Sequence, residues 1–396
     1  MSRVPRTNLM HTYADPPVTF VRGQGSELFD DSGKRYLDFV SGLAVTSLGH
    51  AHPEVADAVA EQARVLWHVS NLYGNELAPE VATTLDRLMG GGDPAAAPGG
   101  QVFFCNSGAE ANECALKLAR RWAGPGRHMV VAADGSFHGR TFATLAATGQ
   151  PAKHALFDPL PPWFNHVPYD NLDALAGALD EPAVAAVLLE PVQGEGGVVV
   201  PSSDYMAGVR ELCTDRGALL ICDEVQTGLG RTGRWFGFQR SPLRPDIVTM
   251  AKALGNGMPV GACWARAEVA AAFGPGDHAT TFGGQPLAMA AARATLAVME
   301  REGVCARAER AGARLRAGLE RLGGITAVRG AGLLLAAQLE SARAGQVADA
   351  ALARGLVVNA VRPDSLRLAP SLLVDDELVD EAVAVLGDSL DAAGAA

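Results

Sequence analysis

Short apolar runs bounded by glycine, proline and aspartate alternate through the middle of this chain with longer stretches of helical spacing. The runs at residues 101–105, 128–133, 183–189, 218–222, 246–250 and 260–265 are mainly apolar, the pattern of strands covered on both faces. Residues 109–122 and 204–216, lying between such runs, carry helical periodicity. Strands and helices in alternation predict an α/β fold whose mostly parallel sheet is covered by helices. Upstream, residues 18–21, 27–30 and 36–40 read as short extended pieces joined by turns at Gly23, Gly25 and Gly33, with helices following over 54–66 and 78–89. Residues 90–100, rich in glycine, proline and alanine, read as a flexible loop. Downstream come Ala-rich helices over 286–300 and 306–322, then strands at 332–339, 355–359 and 365–368. The expected organisation is a large domain over 51–280 and a small α+β domain over 281–396, which the N-terminal segment 1–50 joins.

Composition narrows the class. Of 396 residues, 48% are hydrophobic and 19% charged, which excludes a disordered chain. A net charge of −11 argues against a general affinity for nucleic acid. No apolar run approaches the ~18 residues of a membrane span, and residues 1–15 hold no apolar signal-peptide core. Six cysteines without C-x-x-C spacing read as reduced thiols of a cytoplasmic protein. Only four lysines (Lys34, Lys117, Lys153, Lys252) stand among 33 basic residues. A lysine retained inside an apolar stretch of so arginine-rich a chain suggests a task arginine cannot perform, such as acting as a neutral amine nucleophile.

Lys252 is that lysine. It follows an apolar run and precedes a Gly-rich turn, where desolvation would free its amine for Schiff-base chemistry; a surface lysine at a strand end has the same pattern. Asp223 and Glu190 each close an apolar strand, where ligands of open α/β sheets bind. Asp223 there suits a pyridinium nitrogen, and equally a turn or helix cap. Ser107, Gly108 and Ala109 link a strand to a helix; the arrangement suits a phosphate at the helix N-terminus, or an ordinary capped start. Phe137 and Arg140 lie in a cluster after the 128–133 strand, suited to stacking on a flat ring and gripping a carboxylate, or to packing and solvation. Gly228, Gly230 and Gly233 have the spacing of a dinucleotide-binding loop, but neither directly follow a strand nor open a helix, so that reading is rejected. His50 and His52 suggest metal ligands; Pro53 and the turn setting favour a structural role, with no carboxylate evident to complete a metal site.

Six segments in order then carry a resemblance: FCNSGAEANECALKLAR (104–120), SFHGRT (136–141), EPVQGEGG (190–197), CDEVQTGLGRTG (222–233), AKALGNGMPVGA (251–262) and TTFGGQPLA (280–288). They resemble the class III, fold type I, pyridoxal-phosphate-dependent aminotransferases. The resemblance implies pyridoxal 5′-phosphate as cofactor, no metal, and a homodimer with shared active sites that moves an amine from a small-molecule donor to 2-oxoglutarate. It implies Lys252 as the lysine that carries the cofactor and shuttles the proton, Asp223 on the ring nitrogen, Gln226 near the ring hydroxyl and Glu190 behind them. Phe137 and Val225 would enclose the ring, with His138 beside it; Ser107, Gly108 and Ala109 would hold the phosphate, joined by Thr281 of the partner subunit. Arg140 and Arg367 would bind substrate carboxylates, Glu195 would mask Arg367 when an amine donor is bound, and Thr280 and Asn71 would touch an acylated donor. Departures from the family pattern fall at Gln285, near Thr280, at Gly74-Asn75 and in the long 90–100 loop. They bear on the choice of donor and leave every catalytic group in place.

Overall fold

The computed structural model describes residues 8–241 and 243–394. Three sheets organise the described residues. β1 (Phe20–Gln24), β2 (Glu27–Asp30) and β3 (Arg35–Asp38) form an antiparallel meander near the N-terminus. The large sheet comprises β4 (Gln101–Cys105), β5 (Met129–Ala133), β6 (Phe164–Val167), β7 (Val184–Leu189), β8 (Leu219–Asp223), β9 (Ile247–Met250) and β10 (Gly261–Ala265), in the order β4-β10-β9-β8-β7-β5-β6. β11 (Ile325–Ala331), β12 (Leu334–Leu339), β14 (Asn359–Arg362) and β15 (Ser365–Leu368) form a third, antiparallel sheet, while β13 (Leu356–Val357) crosses over to pair in parallel with β3. Residues more than 300 positions apart in sequence are thus joined in one sheet.

The large sheet positions the chemistry. β6, β5, β7, β8 and β9 are parallel neighbours; β10 alone runs the other way, antiparallel to both β9 and β4. Five strands therefore deliver the segments after Cys105, Ala133, Leu189, Asp223 and Met250 to one edge, and β10 starts from that same edge at Gly261, opposite Cys105. All six residues of β7 and all five of β8 are buried, and all but the terminal Asp223 are apolar, as cover on both faces requires. The helix Gly108–Ala123 covers the sheet through Ala111, Cys114, Ala115, Leu118 and Ala119, a helical stripe of small and branched residues.

Several expectations need correction. The helix expected over 54–66 ends at Gln62, and the chain turns away to reach Ser70, whose φ is +56°. The strand expected over 355–359 is broken at residue 358, with two residues in one sheet and the rest in another. The loop over 90–100 is tethered: Asp86 accepts from the Gly99 and Gly100 amides, and Asp93 caps a short 3₁₀ turn. His50 has a carboxylate partner after all, Asp38 at 2.7 Å, whose other oxygen accepts from the amides of Val40 and Ser41. That contact braces a turn. Gly228, Gly230 and Gly233 lie in a run of turns, away from any strand–helix junction.

Leu220, fully buried on the central strand β8, sets the strength of this frame. Leu220→Ala is expected to lower stability by about 2–5 kcal/mol through lost burial and the cavity left behind, read as a fall in the urea midpoint of the purified protein.

Candidate active site

A cavity of about 410 Å³ opens at the edge where the five strands end. Its walls contain Ser107, Gly108 and Ala109 after β4, Phe137, His138 and Arg140 after β5, and Glu190 and Glu195 after β7. Asp223, Val225 and Gln226 enter from β8, and Lys252 from β9. Arg367, on β15 of the third sheet, reaches the same site through Glu195 and Gln226 at 2.5 and 3.2 Å. Asn71, Thr280 and Thr281 do not line the cavity, although Thr280 Oγ1 accepts from Nδ2 of Asn106, on its wall, at 3.3 Å. Asn71 and Thr281 are exposed and Thr280 is half-buried, and Asn71 spends its amide on the carbonyls of Thr280 and Gly283, at 3.1 and 3.0 Å.

Lys252 begins a 3₁₀ turn immediately after β9 with φ +37°, a left-handed conformation that a side-chain-bearing residue adopts at a cost. Its amine makes no hydrogen bond or ion pair with the described residues. Burial pulls its ammonium below lysine's usual range and Arg367 adds to that, while Glu195, Asp223 and Glu190 push back. An unpartnered, partly desolvated amine is a competent nucleophile.

Three donors converge on Asp223. Oδ2 accepts from Asn112 Nδ2 and from the His138 ring at Nδ1, each at 2.8 Å; Oδ1 accepts from the Val225 amide at 3.0 Å. Glu190 lies behind, its two oxygens taken by the amides of Phe137 at 3.0 Å and Gly194 at 2.9 Å. Burial, reinforced by the charge of Asp223, raises Glu190 to about 7. Glu195 differs: burial pushes it up, but the adjoining Arg367 guanidinium outweighs that and holds it below the usual carboxylate range.

The opposite wall is built for an anion. Ser107 caps the helix Gly108–Ala123, accepting from the Glu110 amide at 3.2 Å. The amides of Gly108 and Ala109 have no acceptor among the described residues and stand at the positive end of a 16-residue helix. Gly108 has no room for a side chain, since an added Cβ would lie 2.8 Å from both methyls of Val225. Phe137 projects beside it with the Arg140 guanidinium 5.6 Å from its ring centre. These donors fit pyridoxal phosphate on the structure's own terms. A phosphate has open amides, a ring has Phe137 and Val225 as flanking walls, a protonated ring nitrogen has a carboxylate, and a carbonyl has a free amine.

Sequence reasoning quoted Asn112 within a motif but gave it no role, and it did not single out Asn106, Val45 or the wall over 258–260. For Asn112 a signal existed: it is a polar residue on the apolar face of an amphipathic helix, and it is buried. Gln285, noted as a departure, has a local use as the cap of the helix Pro286–Arg301, accepting from the Leu287 amide at 3.0 Å.

The fold and this site define a pyridoxal-phosphate-dependent aminotransferase. Residues 9–390 match the family described as class-III aminotransferases, and the chain belongs to that family. It is 47% identical over 380 residues to the acetylornithine aminotransferase of Corynebacterium efficiens, covering 96% of this chain and 94% of that one. Among solved structures, an ornithine aminotransferase from Toxoplasma gondii with PLP at partial occupancy in its active site superposes with a TM-score of 0.92 and 35% identity, covering 98% and 93% of the two chains. The N-acetylornithine aminotransferase of Stenotrophomonas maltophilia gives 0.82 and 36%, covering 96% and 97%.

Glu190 offers a direct check on these electrostatics. The folded protein keeps its proton to about 7 whereas an unfolded glutamate loses it near 4.5. Its contribution is therefore present below pH ~4.5 and is lost as pH rises through ~7, by on the order of 3 kcal/mol. Stability of the cofactor-free wild type relative to Glu190→Gln is expected to decline from pH 4.5 to pH 8, followed by thermal unfolding; a pH-independent difference would contradict the placement.

Proposed function

We propose that this enzyme transfers the terminal amine of N2-acetyl-L-ornithine to 2-oxoglutarate, giving N-acetyl-L-glutamate 5-semialdehyde and L-glutamate, a step of arginine synthesis. The observation that carries the reaction is the Glu195–Arg367 ion pair, 2.5 Å long, at the side of a cavity holding an unpaired lysine amine. One site must accept a terminal amine and a keto diacid in turn. An arginine that a glutamate covers for the first and releases for the second meets that demand. The choice of donor is supported by the acetylornithine aminotransferases at 47–48% identity.

Pyridoxal phosphate, when bound, supplies an electrophilic carbonyl and a ring able to take up an electron pair. Lys252 would hold the cofactor through its amine and would move the proton at the substrate carbon bearing the nitrogen. Asp223 accepts from the ring nitrogen and so keeps it protonated, with His138 and Asn112 holding the carboxylate. Of the residues lining the cavity, Ser107, Gly108 and Ala109 would bind the phosphate, Phe137 and Val225 would exclude water from the ring, and Gln226 would serve the ring hydroxyl. Glu190 fixes the Phe137 and Gly194 backbones, which aligns the ring wall and the base of the Glu195 loop. Arg140 and Arg367 grip the carboxylates of 2-oxoglutarate, and Thr280 and Asn71 border the acylated end of the donor.

The working form is a cytoplasmic homodimer with shared sites. Thr281 lies outside its own cavity and completes the phosphate pocket of the other protomer, and the exposed Trp67, Leu72, Tyr73 and Phe282 are covered by that contact. Six free cysteines, five of them buried, accord with a reducing compartment. Residues 51–280 serve as the cofactor-binding domain, and 281–396 with 1–50 as the smaller one.

The purified enzyme is expected to be yellow and to lose both the colour and roughly 10³-fold or more of its rate in Lys252→Ala. Half-reactions with acetylornithine, ornithine, succinyldiaminopimelate and 4-aminobutyrate should give the highest kcat/KM for the first; a preference for any other overturns the assigned donor. Thr281→Ala is expected to loosen cofactor binding while sedimentation still reports a dimer. A fully active monomer at assay concentration would contradict the shared site.

A further inference from the structure

Behind Asp223 the hydrogen bonds continue inward. Asn112 Nδ2 donates to the carbonyl of His138 and to Asp223 Oδ2, both at 2.8 Å, which uses both its hydrogens. Its Oδ1 accepts from Thr249 Oγ1 at 2.7 Å. The amide orientation is settled by these partners, because two acceptors face the nitrogen and a hydroxyl faces the oxygen. All of Asn112, Thr249, His138 and Asp223 are buried, so water is not at hand to replace a missing bond. Thr249 is also the register partner of Asp223 across β8 and β9, and it precedes Lys252 by three residues on the strand that delivers the amine.

A carboxylate offers roughly four lone-pair directions. Asn112 and His138 occupy the two on Oδ2, and the Val225 amide takes one on Oδ1. One direction on Oδ1 is left unclaimed by the described residues. The His138 ring alone could not fix it, since that ring is bonded at Nδ1 while its Nε2 is buried without a partner. We propose that Asn112, anchored by Thr249, is the positioning residue that fixes the rotation of the Asp223 carboxylate and so reserves one Oδ1 lone pair for the ring nitrogen of the cofactor. Neither residue touches the reacting atoms through this network; each acts through Asp223. The inference rests on the pyridoxal phosphate reading above and adds to it the part of the chain that aims the acid.

Three substitutions test it on the cofactor-loaded enzyme. Asn112→Leu keeps the approximate size and removes every bond; Thr249→Val keeps the shape and removes the hydroxyl, and Thr249→Ser restores it. Asn112→Leu is expected to move the pH midpoint of the bound cofactor's visible absorption by about one unit or more and to lower kcat at least tenfold, with KM for 2-oxoglutarate changed less than threefold. Thr249→Val should shift both in the same sense by a smaller amount, and Thr249→Ser should return them to wild type. Wild-type absorption titration and kcat in a folded Asn112→Leu protein overturn the proposal. If that variant does not fold, an unchanged Thr249→Val does the same, as does failure of Thr249→Ser to recover the loss. Absence of a visible band in the loaded wild type would overturn the cofactor reading itself, a result distinct from a normal band that the variants leave unmoved.

Discussion

The site depends on keeping one amine partly out of water with no partner of its own. Charging Lys252 in that place is unfavourable, and burial wins over the three carboxylates that favour the charged form. A close ion pair would cancel the effect, because an opposite charge within a few ångströms restores the ammonium. The structure avoids this by giving each neighbouring carboxylate something else to hold. Asp223 has Asn112, His138 and a backbone amide; Glu190 has two amides; Glu195 has Arg367. The lysine is left over because its neighbours are already committed.

That arrangement is a consequence of strand direction. In a parallel sheet the strands end together, and each can follow its last buried residue with one polar group. β10 is the exception that makes room: running in reverse, it brings Gly261 beneath the start of the Ser107–Ala109 turn, where an added Cβ would lie 2.4 Å from the Ser107 carbonyl oxygen. The backbone of β10 can approach the turn so closely because residue 261 has no side chain.

Legibility in the sequence followed the range over which each feature is determined. The buried strands β5, β7, β8, β9 and β10 were plain because a strand covered on both faces must be largely apolar. β6, with the sequence FNHV on the sheet's edge, lacks that signature, and so does the two-residue β13, which exists only because β3 is there to pair with it. The closing helix Asp376–Gly394 did show a helical spacing, with Val379, Ala382, Leu386 and Leu390 buried, and went unread. At the site, Ser107, Gly108, Ala109, Phe137, Arg140, Glu190, Asp223 and Lys252 could be named from position, whereas His138, Glu195, Val225 and Gln226 came only with the family resemblance. The network through Asn112 could not, because it joins a helix to two strands and a loop whose proximity only the folded chain creates.

Donor choice between two chemically unlike substrates is the step where rigidity and motion must coexist. Arg367 is nearly fully buried and held on one nitrogen by Asn359 at 2.9 Å and on another by Gln226 at 3.2 Å, so the cation itself is fixed. Glu195 is more exposed, a partly solvated side chain on the Gly194–Gly197 turn, whose Gly196 and Gly197 carbonyls accept from Arg362 at 2.6 Å and Arg329 at 3.0 Å. The base of that stretch is pinned, since the Gly194 amide donates to Glu190 and an added Cβ at residue 194 would collide with Gln226. In the proposed function, the Glu195 side chain turns on this held backbone, facing an immobile cation, and alternates between covering and exposing one charge without disturbing the cavity wall. On the proposed reading this division of labour lets a single cavity serve an amine and a diacid in succession. The bond from Gly194 to Glu190 then separates the part that moves from the part that must not.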